Sequence, residues 1–347
     1  MTKAVRPTGR MADIAKIRQS QGELLPLLKQ IMLDESGPDE GRRTDVIHPS
    51  ELCKSDCCHR AITMRILGWK VPEGTFNFVL ENIFAEGNEI HAKWQKRMAK
   101  TGRLWGDWKC RACKNGPGVW ARQTSTPDEL DTPRLAPGST RVYTNVSQGC
   151  VGGPYALHDW EYMEVPLTAE DTYLMTGHAD GGLDDYLVEI KSVGVGTLRV
   201  EAPKLMAKWL TKTRQGKSIY DLDALWKDLK RPFTTHVRQA NLYLWMAREM
   251  GLPFDHMVFI YEFKPNQQVK EFSIKLNEEI LAKLLAQAMI IKRGVDSGVL
   301  PPCPAGGCKQ CQSMEAFNKN NTAAILERKV KRVSRSPRAD HRRSALS

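Results

Sequence analysis

The chain has 347 residues, with 51 Lys and Arg against 40 Asp and Glu, a formal charge of +11 and 41% hydrophobic residues. That apolar content, with nine Trp, supports a buried core and excludes wholesale disorder. No apolar run approaches the roughly 20 residues needed to span a bilayer, and the Met1 end carries no signal-peptide core, so the expectation is a soluble cytoplasmic protein whose positive charge points to a polyanionic partner and not to a membrane.

Residues 1 to 45 read as a polar extension with one apolar stretch, Leu24 to Met32, as a peripheral helix. Pro49-Ser50-Glu51 opens a predicted helix that runs from Ser50 to Leu67. Phe78 to Lys100 is a longer helical pattern, with Val79, Ile83, Ile90, Trp94 and Met98 on its apolar face. From 102 to 155 Gly, Pro, Thr and Ser become frequent and periodicity disappears, the mark of an inserted module. Trp160 to Val165, Thr172 to Thr176 and Tyr186 to Ile190, with a turn at Gly181-Gly182, predict an antiparallel meander. Residues 201 to 250 read as helical, broken at Gly216 and Pro232. His256 to Phe263 and Val269 to Ile274 are strands, and Glu278 to Arg293 is an amphipathic helix stopped by Gly294.

The tail from Glu327 to Ser347 holds eight basic residues against two acidic ones. It is either a solvated terminus or a basic arm that follows phosphates. The organisation read from these segments is an α/β core in two parts, 46 to 101 and 156 to 312. It is interrupted by the insertion at 102 to 155 and by a helical insertion at 198 to 232.

The stretch richest in chemistry is Gly177-His178-Ala179-Asp180, a turn, then Glu189-Ile190-Lys191. Side chains alternate along a strand, so Glu189 and Lys191 share a face while Val188 and Ile190 take the other. A hairpin returns Asp180 beside Glu189. Two carboxylates in a partly buried site repel unless a cation joins them, and Mg²⁺ and Mn²⁺ favour such oxygen ligands. A metal there polarises a phosphodiester and lowers the pKa of a bound water, while Lys191 offsets developing negative charge. The bland alternative is an ordinary hairpin with a surface Glu–Lys pair.

Nine cysteines in a reducing compartment point to metal before disulfides. Cys303, Cys308 and Cys311 form a C-x4-C-x2-C in a Pro/Gly-rich loop, a strong metal signal that lacks a fourth ligand. Cys53, Cys57 and Cys58 compete for that place. Cys110 and Cys113 form a second knuckle between Trp108 and Trp120. With Cys150 and His158 they compose a Cys3His zinc site, or else a degenerate ribbon without metal.

Four motifs in order resemble a known family: Pro49-Ser50-Glu51-Leu52 with Cys58-His59-Arg60; Gly87-x-x-x-His91; Gly177 to Asp180 with Glu189-Ile190-Lys191; and Gln239-Ala240-Asn241-Leu242-Tyr243. The set resembles the RecB-type nucleases of the PD-(D/E)xK superfamily, in the branch of CRISPR-associated and phage exonucleases, and covers about residues 48 to 311. The resemblance implies a restriction-endonuclease-like core carrying a zinc-ribbon-like insertion. It implies metal-dependent exonuclease action on DNA with free ends or single strands, in phage or bacterial recombination, replication or repair.

In that reading His91, Asp180, Glu189 and the Ile190 carbonyl hold Mg²⁺ or Mn²⁺ and Lys191 serves the nucleophile. Gln239 lies near the lysine or a phosphate, and Tyr243 near the DNA. Arg60 braces the cysteine element or contacts DNA, against a plain surface charge. Cys58 becomes the fourth ligand of a [4Fe–4S] cluster with Cys303, Cys308 and Cys311, Zn²⁺ being the alternative because the family's usual order of cysteine gaps is reversed. Lys109, Arg111 and Lys114 of the insertion are placed to lead DNA inward. No G-x-x-x-x-G-K-[ST] phosphate loop occurs, so unwinding falls to a helicase or recombinase partner. The rival readings are a non-catalytic nucleic-acid-binding protein stapled by metal sites, and a redox iron–sulfur protein. The second of these lacks any flavin or nicotinamide fingerprint.

Overall fold

The structure, a computed structural model, describes residues 43–71, 78–101, 103–110, 121–122, 134–135, 160–213, 215 and 218–319, with single positions 26, 29 and 31. The chain divides into two compact units, one of Met1–Arg42 with Glu73–Glu89, the other of Arg43–Pro72 with Ile90–Ser347. The described part of the first is essentially the opening of one helix. The sheet and every candidate site residue belong to the second.

Helices α1 (Pro49–Leu52) and α2 (His59–Ile66) precede the long α3 (Phe78–Ala99). The single helix predicted from Ser50 to Leu67 is therefore two, because the Cys53–Cys58 stretch breaks it and Cys58 caps α2, accepting from the Ala61 amide. Strands β1 (Leu104–Gly106), β2 (Trp108–Cys110), β3 (Ala121–Arg122), β4 (Arg134–Leu135) and β5 (Trp160–Tyr162) follow. Next come β6 (Val165–Ala169), α4 (Glu170–Tyr173), β7 (Met175–Ala179), β8 (Gly181–Leu183) and β9 (Tyr186–Val193). The meander expected from Trp160 to Ile190 is not a single ladder: β5 pairs with β2, β6 and β7 form a sheet of their own, and Gly181-Gly182, read as a turn, belongs to β8, which pairs antiparallel with β9. Thr172 belongs to a helical turn and not to a strand: Glu170 and Asp171 open that turn and Leu174, at φ 54°, ends it.

Helices α5 (Val195–Glu201) and α6 (Pro203–Lys208), the hairpin β10 (Leu210–Lys212) and β11 (Ser218–Tyr220), and α7 (Leu222–Asp228) follow, across the segment 198 to 232 read as an insertion. A two-stranded hairpin thus stands inside a segment read as helical, and the break expected at Gly216 lies outside the described residues. Helix α8 (Thr234–Glu249) starts after Pro232, and β12 (His256–Phe263) and β13 (Gln268–Lys275) fall where they were predicted. Helix α9 (Glu278–Ser297) runs through Gly294 and ends at Gly298, whose φ of 71° suits a glycine C-cap. Gly294 is needed for packing: a Cβ there would lie 3.0 Å from both Pro301 Cδ and Thr63 Cγ2. Helix α10 (Lys309–Asn318) closes the described chain.

The fold is mixed α/β. Seven strands form a central sheet in the order β13-β12-β9-β8-β1-β3-β4. Its centre is the parallel pair β9 and β12, with Glu189 beside Phe259 and Lys191 beside Tyr261; the other neighbours run antiparallel. Both central strands are buried on two faces, as parallel strands are. Leu187, Val193 and the odd-numbered β12 residues from Met257 to Phe263 pack with Ala240, Leu242 and Leu244 of α8. Val188 and Ile190 pack with Ile90 and Met98 of α3 on the opposite side. No described helix is long and apolar enough to cross a membrane.

Candidate active site and cysteine cluster

The β8–β9 register pairs Gly181 with Val188, which sets Asp180 opposite Glu189 just beyond the end of the ladder. There the Ile190 amide has lost its strand partner and donates instead to Asp180 Oδ2 at 2.6 Å. Asp180 Oδ1 faces His91 Nδ1 at 3.0 Å. Helix α3 is held at this spot by its own residues. Lys93 Nζ and Trp94 Nε1 donate to the two oxygens of Glu262, at 2.5 and 2.6 Å, and Glu262 is only 2% exposed. Gln95 Nε2 donates to the Asp180 carbonyl at 3.1 Å.

On β9, Lys191 Nζ donates to Glu189 Oε1 at 2.7 Å and to Gln239 Oε1 at 3.1 Å. The Gln239 amide donates to the same Glu189 oxygen at 3.1 Å and to the Tyr243 hydroxyl at 2.9 Å. Gln239 and Tyr243, one turn apart on α8, share a face. Gly177 lets β7 approach that face, since a Cβ there would sit 2.7 Å from the Tyr243 ring. All five predicted catalytic side chains, with His91, therefore meet in one volume.

Burial dominates the electrostatics. It pushes the Glu189 carboxyl up to about 7, Lys191 drawing it down and Asp180 adding to the rise. Burial pulls Lys191 down, but the charges of Glu189 and Asp180 outweigh it and hold the ammonium above its ordinary value. For His91 the same contest between burial and the Asp180 hydrogen bond also ends in a raised value. Glu189 Oε2 is buried and has no hydrogen-bond partner among the described residues. An orphaned carboxylate oxygen is costly, and carboxylate and imidazole donors of the kind gathered here are those that Mg²⁺ and Mn²⁺ favour.

One residue here escaped the sequence reading. Glu164 accepts weakly from Gln95 at 3.5 Å, and its carboxyl is pushed up to about 7 by burial and then by Asp180. It stands in the left-handed region at φ 70°, a conformation rare for Glu. Glu164 falls inside the run Trp160 to Val165 read as one strand, which the structure breaks before β6, and a lone acid there has no motif spacing to reveal it.

The second centre joins residues far apart in sequence. The sulfurs of Cys58, Cys303, Cys308 and Cys311 lie within 4.8 Å of one another and can hold a metal ion. Among the described residues no other set of three or more His, Cys, Asp or Glu ligand atoms is as compact. Cys53 lies in the main core and Cys57 is half-buried, both outside the set. Arg60 reaches from α2 to Glu315 at 2.8 Å and to the Pro301 carbonyl at 3.3 Å, bracing the cysteine loop. Cys113, Cys150, His158, Arg111, Lys114 and the basic tail lie outside the described residues, as do the side chains of Lys109 and Cys110.

An open cleft of about 360 Å³ at the start of α8 is lined by Lys204, Lys230 and Arg231 over Leu205 and Phe233. Its two acids are engaged: Glu201 accepts from Thr235, and Asp228 from Lys208 and Trp209.

No family model matches the sequence, and no curated protein does. Among solved structures, an alkaline exonuclease (LHK-Exo) from Laribacter hongkongensis aligns over 74% of this chain and 91% of its own, at 8% identity and a TM-score of 0.38. The same enzyme in complex with dAMP gives the same identity and score over 90% of its length. The protein SSO0001 aligns over 83% of this chain and all of its own, at 13% identity and a TM-score of 0.33. Likeness at this level transfers neither fold nor chemistry, and the residues of this chain have to carry both.

Proposed function

We propose that the protein is a metal-dependent nuclease that hydrolyses phosphodiester bonds of DNA, working from free ends or on single strands. The observation that carries this is the buried trio Asp180, Glu189 and Lys191, in which one oxygen of Glu189 accepts from Lys191 and the other is buried with no hydrogen-bond partner among the described residues. Two carboxylates and an imidazole would bind Mg²⁺ or Mn²⁺, with the Ile190 carbonyl completing the set. The ion supplies Lewis acidity toward the phosphate and lowers the pKa of a bound water. Lys191 holds an ammonium beside the reacting phosphate, where it lowers the cost of the developing negative charge.

Gln239 fixes the lysine and Glu189 in register, its amide donating to the carboxylate and its carbonyl accepting from the ammonium. The basic cleft supports a polyanionic substrate. Thr234 at its rim lies five residues from Gln239 on one helix, roughly 7 Å along the axis. The family resemblance places such chemistry in phage or bacterial recombination, replication or repair, with strand opening left to a helicase or recombinase.

The test is digestion of end-labelled single- and double-stranded DNA with Mn²⁺ or Mg²⁺, by wild type and Asp180→Asn. Metal-dependent release of nucleotides, lost in the variant while DNA binding persists, is the expected result. A wild type that binds DNA but cleaves none with either ion leaves the non-catalytic binder as the function.

A further inference from the structure

The four thiols do not fit the iron–sulfur cluster that the family resemblance implies, and we infer that Cys58, Cys303, Cys308 and Cys311 hold one tetrahedral Zn²⁺. Cys58 and Cys311 sulfurs are 3.1 Å apart, Cys308 and Cys311 3.5 Å, and Cys58 and Cys303 3.7 Å, with all four inside 4.8 Å. A single ion with metal–sulfur bonds of about 2.3 Å sets its four sulfurs about 3.8 Å apart along each tetrahedral edge. In a cubane each thiolate binds its own iron at a corner. The sulfur tetrahedron then has edges longer than the single-ion edge by one whole iron–iron separation. An upper limit of 4.8 Å leaves about 1 Å for that separation, far less than two iron atoms require. A two-iron cluster fails in the same way across its long axis.

The surroundings are those of a closed structural site. Cys58 caps α2 and accepts from the Ala61 amide at 3.5 Å; Cys308 caps α10 and accepts from the Cys311 amide at 3.4 Å. Cys303 accepts from the Cys308 amide at 3.3 Å. The turn between Cys303 and Cys308 uses Gly306 at φ 67° and Gly307 at φ 136°, conformations that glycine adopts freely. Amides directed at sulfur stabilise thiolates and fix their orientation. Thiolates favour Zn²⁺ over the harder divalent ions, and zinc stands above ferrous iron in the affinity order for such sites. A zinc staple carries no redox chemistry, so air does not inactivate it as it does an exposed cluster. It is independent of the catalytic reading, because its readout is composition.

The full chain, produced with both iron and zinc in the medium and purified without oxygen, is assayed for metals, acid-labile sulfide and visible absorption. The expected result is about one zinc per chain, no sulfide and no colour, with X-ray absorption showing four sulfurs at about 2.3 Å. Cobalt exchange should give the absorption of a tetrahedral thiolate site. Cys303→Ser, on the half-buried loop, should lower zinc occupancy, and Cys57→Ser should leave it whole; the pair keeps the test readable if Cys58→Ser fails to fold. A brown protein with about four irons and matching sulfide per chain overturns the inference. So does a folded chain that purifies with no metal, or one in which Cys57→Ser empties the site and Cys303→Ser does not.

Discussion

Lys191 Nζ lies 2.7 Å from Glu189 Oε1, two residues back on one face of β9, with side chains only 20% and 5% exposed. Removing one partner of such a pair leaves the other charge buried and uncompensated. Lys191→Ala should therefore lower the single-turnover rate about 100- to 1000-fold, while affinity for DNA measured with Ca²⁺ in place of Mg²⁺ changes little. Lys191→Arg should not restore the rate, because a planar guanidinium cannot occupy the position of a compact ammonium bridging Glu189 and Gln239. A Lys191→Ala rate within a few-fold of wild type would remove the lysine from the mechanism.

The buried acids make stability depend on pH and on metal. Glu189 is raised in the folded protein from 4.5 to about 7 by burial, so folding favours its protonated form. Its contribution is fully present below about 4.5 and is lost as pH rises through about 7. His91, also raised, acts in the same direction near neutrality. With divalent ions chelated, wild type should lose stability relative to Glu189→Gln between pH 5 and 8, on the order of 1 kcal/mol per pH unit at most. Mg²⁺ or Mn²⁺ at pH 8 should reverse that loss in wild type alone. Urea unfolding midpoints at both pH values decide it, and parallel pH dependences of the two proteins would refute the buried-carboxylate account.

The cleft at the start of α8 should act through phosphate contacts. Lys230 and Arg231 are exposed and make no ion pair among the described residues. Lys230→Ala with Arg231→Ala should weaken binding of a labelled oligothymidylate and reduce the salt slope by about 0.7 for each lost contact. Cleavage of a dinucleotide, too short to reach the cleft, should keep its rate. An unchanged slope would mean that the strand takes another path.

The shared face of Glu189 and Lys191 was legible because alternation along a strand fixes it, and Glu189-Ile190-Lys191 needs nothing more. The sequence leaves Cys53, Cys57 and Cys58 open as the fourth ligand, and only the family resemblance implies Cys58. The fold places Cys58 at a helix N-cap within bonding range of Cys311, 253 positions away. Other features were hidden because they depend on tertiary context. Gly294 reads as a helix stop until Pro301 and Thr63 are seen packed against it. The β10–β11 hairpin interrupts a segment whose composition is helical, and both its strands are largely exposed, so no buried alternation marks them. The anchoring of α3 by Lys93 and Trp94 on Glu262 joins residues 168 and 169 positions apart, and one sequence holds no record of such a pairing.

Glu164 provides the sharpest separation of catalysis from architecture. It shares Gln95 with the Asp180 backbone, and burial followed by the charge of Asp180 places its carboxyl at about 7. Below that pH the wild-type side chain carries a proton and resembles the neutral amide of Glu164→Gln. Above it, a third negative charge stands near Asp180 and would strengthen binding of the proposed cation. The variant should therefore match wild type in Mn²⁺ affinity at pH 6 and fall behind by up to about tenfold at pH 8, about one pKa unit of interaction. Titrating Mn²⁺ against each protein at both pH values measures this directly. A deficit of equal size at pH 6 and pH 8 would mean that Glu164 acts by shape, through its left-handed turn between β5 and β6, and not by charge. Glu164→Asn, since Asn tolerates that backbone region best, should then keep the turn, and any residual loss at pH 8 would belong to the missing carboxylate.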